Sequence, residues 1–196
     1  MRIQELFDDE TRLDLNQIRV LRNSCDQYIS MNESPLLKNV LGKEEAFARI
    51  KVRFHRRTSD FISVFNDVLA QKYNIPNLHQ RSVFANGTTS FVPLEEATPY
   101  YVFPINGFKF MYSPSIQSSD NEYRSIFETL LEKCDGDEPQ AASFLKDLMS
   151  YNYVSEDLEQ GVVDGCEIIL YNIPYYYAVN AVNFPDYQEL LDLLER

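Results

Sequence analysis

The sequence has little glycine, histidine and cysteine, and each shortage excludes a class of site. Its 196 residues include 6 glycines, and neither GxxxxGK[ST] nor GxGxxG occurs, so a glycine-rich phosphate cradle is not indicated. The hydrolase elbow GxSxG is absent as well. The two histidines, His55 and His79, are not spaced i, i+4, and such histidines are more often surface or packed side chains than ligands or bases.

The three cysteines do not form a recognisable site. Cys25, Cys134 and Cys166 are an odd number without CxxC spacing, so the sequence supports neither a disulfide framework nor a zinc site. We therefore expect reduced, mostly buried thiols and no metal.

Long apolar runs are also missing. The longest mostly apolar run, 168–181, is interrupted by Asn and Pro and is too short to span a bilayer, and residues 1–10 lack the apolar region of a signal peptide. We therefore expect a cytoplasmic protein without membrane association. A hydrophobic fraction of 44% over this length is enough for one sizeable core and short for two, so one domain is predicted.

Positive charge is scarce, since 18 basic residues face 30 acidic ones and give a net charge of −12. Such a field repels phosphate backbones, so direct nucleic-acid binding is not expected. The acidic excess is typical of a solubilising surface, and it also fits an acidic face that binds a basic protein or mimics DNA. One basic cluster, within 51–57, could form a local anion site; its members are Lys51, Arg53, His55, Arg56 and Arg57.

Capping residues and apolar periodicity predict the elements that come before and after the middle of the chain. Asp14 and Gln17 form a capping box for a first helix, a short strand runs from Pro35 to Gly42, and Thr58 or Ser59 caps the next helix. Later helices are predicted over 122–134, 139–150 and 184–196, with a helical turn after Ser155.

The stretch 78–113 combines apolar strands with polar loops, where binding groups tend to lie. Its pattern predicts a short strand after Arg81-Ser82, a polar loop, a helix-like step at 95–97 and aromatic strands at 100–105 and 108–112. Apolar segments at 166–171 and 175–179 around Asn-Ile-Pro predict a hairpin at a sheet edge.

These elements predict a single α+β domain with a mixed, mainly antiparallel split sheet flanked by helices. The N-terminal helical part would cover 1–34, the sheet-containing core 35–182 and the C-terminal helix 184–196.

Polar residues on three predicted strands follow one another in a suggestive order. Lys38 lies in the first strand, Arg81-Ser82 opens a later one before the loop with Thr89 and Ser90, Tyr100 follows in A-x-x-Tyr, and Glu167 opens a strand in GCEIIL. This order resembles the Arg-Ser-Glu layout of the ADP-ribosyltransferase superfamily, and looks closest to small, divergent members encoded by tailed phages. The resemblance covers roughly 14–179.

The resemblance implies a protein that binds NAD and transfers ADP-ribose to a host or defence protein. Glu167 would be the catalytic carboxylate, because breaking the nicotinamide–ribose bond develops positive charge that a nearby carboxylate stabilises. The other implied roles are NAD-binding: a phosphate or ribose contact from a basic residue, hydroxyl contacts to the ribose, and an aromatic ring on the nicotinamide. The residues concerned are Lys38, Arg81, Ser82, Thr89, Ser90 and Tyr100.

Two positions depart from the family pattern. Lys38-Asn39 stands where Arg-Gly is expected, and Lys lacks the planar bidentate fork of Arg, which leaves Arg81 as the guanidinium within these motifs. Gly165 stands two residues before Glu167, where many transferases have Gln or Glu to orient the acceptor. A member that binds NAD or a partner without turnover fits these residues as well.

Other interpretations of the same residues stay open. Glu167 can be an exposed strand start, Lys38 a solvated strand-end lysine, and Arg81 a partner of Glu95 or Glu96. The alternative function is a non-catalytic acidic interaction protein that inhibits a host or anti-phage defence factor, as a pseudoenzyme or a DNA mimic.

Overall fold

The structure is a computed structural model that describes residues 13–31, 33–52, 60–74, 76–78, 81–116 and 119–195. These residues form an α+β arrangement. The helices are α1 (Leu15–Ser24), α2 (Asp26–Met31), α3 (Asp60–Tyr73), α4 (Ser119–Lys133), α5 (Glu138–Asn152), α6 (Leu158–Val163) and α7 (Tyr187–Glu195). The strands are β1 (Leu36–Leu41), β2 (Phe47–Lys51), β3 (Val83–Gly87), β4 (Ala97–Pro104), β5 (Lys109–Tyr112), β6 (Glu167–Tyr171) and β7 (Tyr175–Asn180).

The seven strands form one sheet in the order β2-β7-β4-β1-β3-β6-β5. Every pair of neighbours is antiparallel. The prediction of a mixed sheet is therefore wrong for the described strands, and the predicted split is not a separation into two sheets. We call β2-β7-β4-β1 the four-stranded half and β3-β6-β5 the three-stranded half.

The predicted hairpin is also wrong, because β6 and β7 pair with other strands and lie in different halves. They are four strand spacings apart in the sheet, about 19 Å if it were flat, whereas the four residue steps from Tyr171 to Tyr175 reach at most about 14 Å. The sheet must therefore curve strongly, so that its two halves face each other. Asn172 Nδ2 donates to the Gly107 carbonyl at 2.9 Å, which links this connection to the four-residue connection between β4 and β5.

The predicted start of the first helix agrees with the structure, whereas some later boundaries differ. The Asp14 carboxylate accepts from the backbone N–H groups of Asn16 and Gln17, and the predicted capping box is present. Cys25 ends α1, so the predicted single helix is divided into α1 and α2. Asp157 rather than Ser155 caps α6, and 95–96 form a turn before β4 rather than a helical step.

Two hydrophobic clusters hold the sheet. The larger one joins strands of both halves to α1, α2, α6 and α7, and the smaller one packs α3, α4 and α5 on the three-stranded half. Strand β6 is apolar on both faces and contributes to both clusters: Ile168 and Leu170 to the larger, Ile169 and Tyr171 to the smaller. A strand of this kind has no polar face and must be covered on both sides.

Other expectations have mixed outcomes. Cys25 and Cys166 are buried as predicted, whereas Cys134 is partly exposed, and burial raises the pKa of the Cys25 thiol to about 12. Among the described residues no helix is both long and apolar enough to cross a membrane. The caps proposed at Thr58 or Ser59 and most of the basic cluster, 53–57, lie outside the described residues.

Candidate functional site

The two halves of the sheet are joined by a short seam between β1 and β3. Only two residue pairs, Leu36 with Gly87 and Leu37 with Asn86, connect these strands, whereas β1 pairs with β4 at five positions. Beyond the seam the Lys38 ammonium donates to the Phe84 carbonyl at 2.8 Å. This side-chain hydrogen bond adds a polar contact between β1 and β3 beyond their two paired positions.

A cavity of about 480 Å³ opens beside the seam, and we call it the seam cavity. Three residues that the sequence singled out line it, namely Lys38, Ser90 and Glu167. The remaining lining residues are Asn39, Phe84, Asn86, Phe91, Val92, Asn121 and Glu122. Its volume is within the range of small-ligand sites, roughly 300–1,000 Å³.

Lys38 and Glu167 interact electrostatically in this cavity. Burial lowers the pKa of the Lys38 ammonium, and the negative charge of Glu167 opposes that shift. Glu167 is half-buried and lies opposite Asn86 in the β3–β6 ladder, so its position is fixed by the sheet. A carboxylate, an ammonium group and a hydroxyl thus share one wall, with a second carboxylate, Glu122, contributed by α4.

The segment that follows β3 is anchored to β1 by one side chain. Asn39 Nδ2 donates to the Val92 carbonyl at 2.8 Å, and the Leu94 N–H donates to Asn39 Oδ1 at 3.3 Å. Because Phe91 and Val92 line the seam cavity, Asn39 sets the position of this part of the cavity wall. In the sequence Asn39 is noted only because it stands where the family pattern has a glycine. The signal that could have identified its structural role is a polar side chain among the apolar residues of a strand.

Two glycines let the polar loop pack closely against the turn before β6. A Cβ at Gly87 would lie 1.9 Å from the Val162 carbonyl oxygen, and one at Gly165 would lie 2.3 Å from Thr89 Oγ1. Gly165 also has a φ of +74°, which disfavours any other residue. This packing leaves no room for a side chain two residues before Glu167. The nearby Asp164 is bound by Gln160 Nε2 at 2.7 Å.

Arg81 and Ser82 lie at the opposite end of β3 from Glu167. Five residue steps separate Arg81 from the partner of Glu167, which is about 17 Å along a strand. Arg81 is exposed and, with Ser82, lines a separate cavity of about 300 Å³ beside 171–174. Ser82 Oγ donates to the Leu78 carbonyl at 2.5 Å. The structure therefore does not bring Arg81 to the seam cavity.

Tyr100 and Thr89 are also outside the lining of the seam cavity. The Tyr100 ring is buried in the core, and its hydroxyl donates to the Glu45 carbonyl at 2.8 Å, so it has no open face for a nicotinamide ring. Thr89 packs against Gly165 instead. The aromatic side chains that do line the cavity, Phe84 and Phe91, were missed because nothing in their spacing distinguishes them from core residues.

No group of three or more His, Cys, Asp or Glu that could hold a metal ion occurs within the part of the chain that the structure describes. Comparisons with protein-family models, with curated proteins and with solved structures found no match.

Proposed function

We propose that this chain is an ADP-ribosyltransferase-like protein that binds NAD in the seam cavity and transfers ADP-ribose to a host or defence protein. The observation that carries the proposal is that Lys38, Ser90 and Glu167, which are distant in sequence, line one cavity between the two halves of the sheet. The order of residue types along the chain had already grouped these three residues.

The residue types suit cleavage of the nicotinamide–ribose bond. When the C1′–N bond breaks, the electron pair leaves with nicotinamide and positive charge develops on the ribose, which the Glu167 carboxylate stabilises. The nucleophile of the acceptor then bonds to C1′ and loses its proton to water. Ser90 is placed to hydrogen-bond a ribose hydroxyl.

Lys38 and the two phenylalanines supply the binding contacts. Among the described residues that line the seam cavity, the Lys38 ammonium is the one cation and attracts the pyrophosphate, although the Phe84 carbonyl already occupies one of its three donor directions. Phe84 or Phe91 takes the stacking role that the sequence assigned to Tyr100. Arg81 has no role in this arrangement.

An assay with labelled NAD distinguishes a catalytic role of Glu167 from a general effect of negative charge in the seam cavity. Wild-type protein is incubated with NAD and host lysate, and nicotinamide release and label transfer are measured. Glu167→Gln is expected to lower the rate by at least about 100-fold, the scale for removing one transition-state contact. Glu122→Gln removes the other carboxylate of the same cavity and should leave the rate within about tenfold of wild type, since a less critical charge is removed. Equal losses in both variants, or no NAD binding and turnover by wild type, would reject the proposal.

A second candidate function is a non-catalytic interaction protein, and the surface of α5 favours it. Phe144 and Leu148 lie one turn apart and are 50% and 40% exposed. Large apolar side chains paired on an exposed helix face are common at protein interfaces. The acidic net charge fits a basic partner.

Affinity capture from host lysate distinguishes the two candidates. A stoichiometric complex that forms equally with Glu167→Ala but is lost with Phe144→Ser supports the interaction protein. A complex lost with Glu167→Ala and kept with Phe144→Ser supports binding through the seam cavity instead.

A further inference from the structure

A second cavity of about 660 Å³ lies on the other side of Lys38, where the edge strand β2 approaches β1 and β3. Strands β1 and β2 are separated by two strands in the sheet order, so they border one cavity only because the sheet is strongly curved. Lys38 and Phe84 line this cavity and the seam cavity alike.

The charge of this lining is opposite to the charge of the whole protein. Four of its twelve described residues are basic and none is acidic, although acidic residues outnumber basic ones 30 to 18 in the chain. The basic residues are Lys38, Lys43, Arg49 and Lys51, and we call the space they line the cationic cavity. A concave surface of one charge concentrates the field and raises the local concentration of counter-ions.

The contacts of Lys43 and Arg49 leave the charges of these two residues largely available. Lys43 is paired with Glu45 at 3.2 Å on the exposed surface, where such a pair is weak. The Arg49 guanidinium lies 3.8 Å from the centre of the Tyr175 ring, a contact that orients the group without neutralising it.

The rest of the lining is apolar and would accommodate an uncharged body. Val40, Ile50, Val83 and Phe84 contribute hydrocarbon surface, and Tyr176 lies among them. Burial raises the pKa of the Tyr176 hydroxyl to about 12, so it keeps its proton and adds no negative charge. A lining that combines apolar and basic side chains matches a ligand with a planar or apolar body and an anionic end.

We propose that the cationic cavity binds a small ligand that carries a phosphate or pyrophosphate group on an apolar or aromatic body, as a nucleoside diphosphate does. Phosphate suits this site because its oxygens accept from several lysine and arginine donors at once. A concave, partly enclosed site favours a small molecule over a nucleic-acid strand, which the net charge of −12 would repel. The proposal needs neither Glu167 nor NAD turnover, and so goes beyond the function proposed above.

The test measures binding of pyrophosphate and of ADP to the full chain by calorimetry at about 0.1 M salt, where the Debye length is about 10 Å. Arg49→Gln with Lys51→Gln removes two exposed cations of the cavity and should weaken both ligands by at least about tenfold, as loss of a charge-assisted contact does. Lys109→Gln removes one exposed cation, against two in the double variant, and this lysine does not line the cationic cavity; it should change affinity less than about twofold, because exposed charges outside a site are largely screened at this salt concentration. Glu167→Gln should leave ADP affinity at or slightly above wild type.

The outcomes separate this site from the seam cavity. Loss of ADP binding in the Arg49/Lys51 variant with ADP affinity retained in Lys109→Gln supports a phosphate site in the cationic cavity. Equal affinity in that variant and wild type overturns the proposal, and so does the absence of ADP and pyrophosphate binding at millimolar concentration. Preferential binding of a single-stranded oligonucleotide over ADP would also overturn it, in favour of a nucleic-acid surface.

Discussion

The contacts within each half of the sheet differ from the contacts between the two halves. Within the four-stranded half each ladder has five residue pairs, and within the three-stranded half each has four, but only two pairs cross the seam. Buried side chains from both halves nevertheless share the larger hydrophobic cluster. The halves are thus joined mainly by apolar burial rather than by backbone hydrogen bonds.

This difference bears directly on the candidate site. Lys38 comes from the four-stranded half, whereas Ser90 and Glu167 belong to the three-stranded half. A small shift of one half against the other changes the geometry of the seam cavity and disturbs only the two-pair ladder between β1 and β3. Substitutions at the seam, in each cluster and at the buried thiols test how far the halves behave as one unit.

The largest effect is expected from Gly87→Ala at the seam. The new Cβ would overlap the Val162 carbonyl oxygen at 1.9 Å, and backbone on both sides must move, so we expect a loss above about 4 kcal/mol or no folded protein. Thermal unfolding followed by circular dichroism measures it. Gly42→Ala is the control, since its φ of +64° costs only about 1–2 kcal/mol and nothing lies within 4 Å of its Cβ. Similar losses in the two variants would contradict the close packing of α6 on the seam.

Leucine truncations in the two clusters test whether the halves unfold together. Leu190 of α7 and Leu145 of α5 are fully buried in the larger and the smaller cluster, and each Leu→Ala change should cost roughly 3 kcal/mol. Because β6 belongs to both clusters, both variants should shift one common transition in urea. Tyrosine fluorescence and circular dichroism follow it, and two separate transitions in either variant would show that the halves unfold independently.

A smaller effect is expected from the buried thiols at alkaline pH. Burial raises the pKa of Cys25, beside β4, to about 12, so the folded state keeps a proton that the unfolded thiol loses above its ordinary pKa of 9.0. Stability is therefore present below pH 9 and falls as the pH rises towards 12, with a limiting slope of about 1.4 kcal/mol per pH unit.

Cys25→Ser should remove that slope, which amounts to about 1 kcal/mol between roughly pH 8 and pH 10. Cys166→Ser, just before β6 in the three-stranded half, should remove less, because burial raises the pKa of Cys166 by less than that of Cys25. Urea unfolding at the two pH values gives the comparison. A larger change for Cys166→Ser than for Cys25→Ser would contradict this prediction, because it would show that burial raises the pKa of Cys166 more than that of Cys25.

Local signals predicted what depends on local chemistry. The Asp14 cap follows from a side chain that bonds to its own neighbouring backbone, and the strand ended by Gly42 follows from a residue that tolerates a positive φ. The helix predicted over 139–150 is found as α5, with Pro139 in its first turn. The hairpin at 166–179 was predicted by equally local signals and is absent, because each strand has two long-range partners that outweigh the short connection. Sheet order depends on contacts that a single sequence does not display.

The residues predicted for the candidate site likewise separate into those that line one cavity and those that lie elsewhere. Lys38, Ser90 and Glu167 were identified from the order of residue types, and they do line one cavity, although their chemical roles stay a prediction. Arg81 and Tyr100 belonged to the same pattern but lie at the far end of β3 and in the core. Where a side chain points depends on curvature of the sheet, and no motif in the chain reports that.

The curved sheet also has a consequence for how the chain folds during synthesis. Among the described ladders the partners nearest in sequence, Leu37 and Asn86, are 49 positions apart, so no ladder forms locally. Strand β2 has the longest delay between its own synthesis and that of its pairing strand, because β7 begins 124 positions after Lys51. At about 5–20 residues per second, β2 stays unpaired for roughly 6–25 s. The charges of Arg49 and Lys51 protect β2 during this time, since charged residues on an unpaired strand discourage pairing with a neighbouring nascent chain.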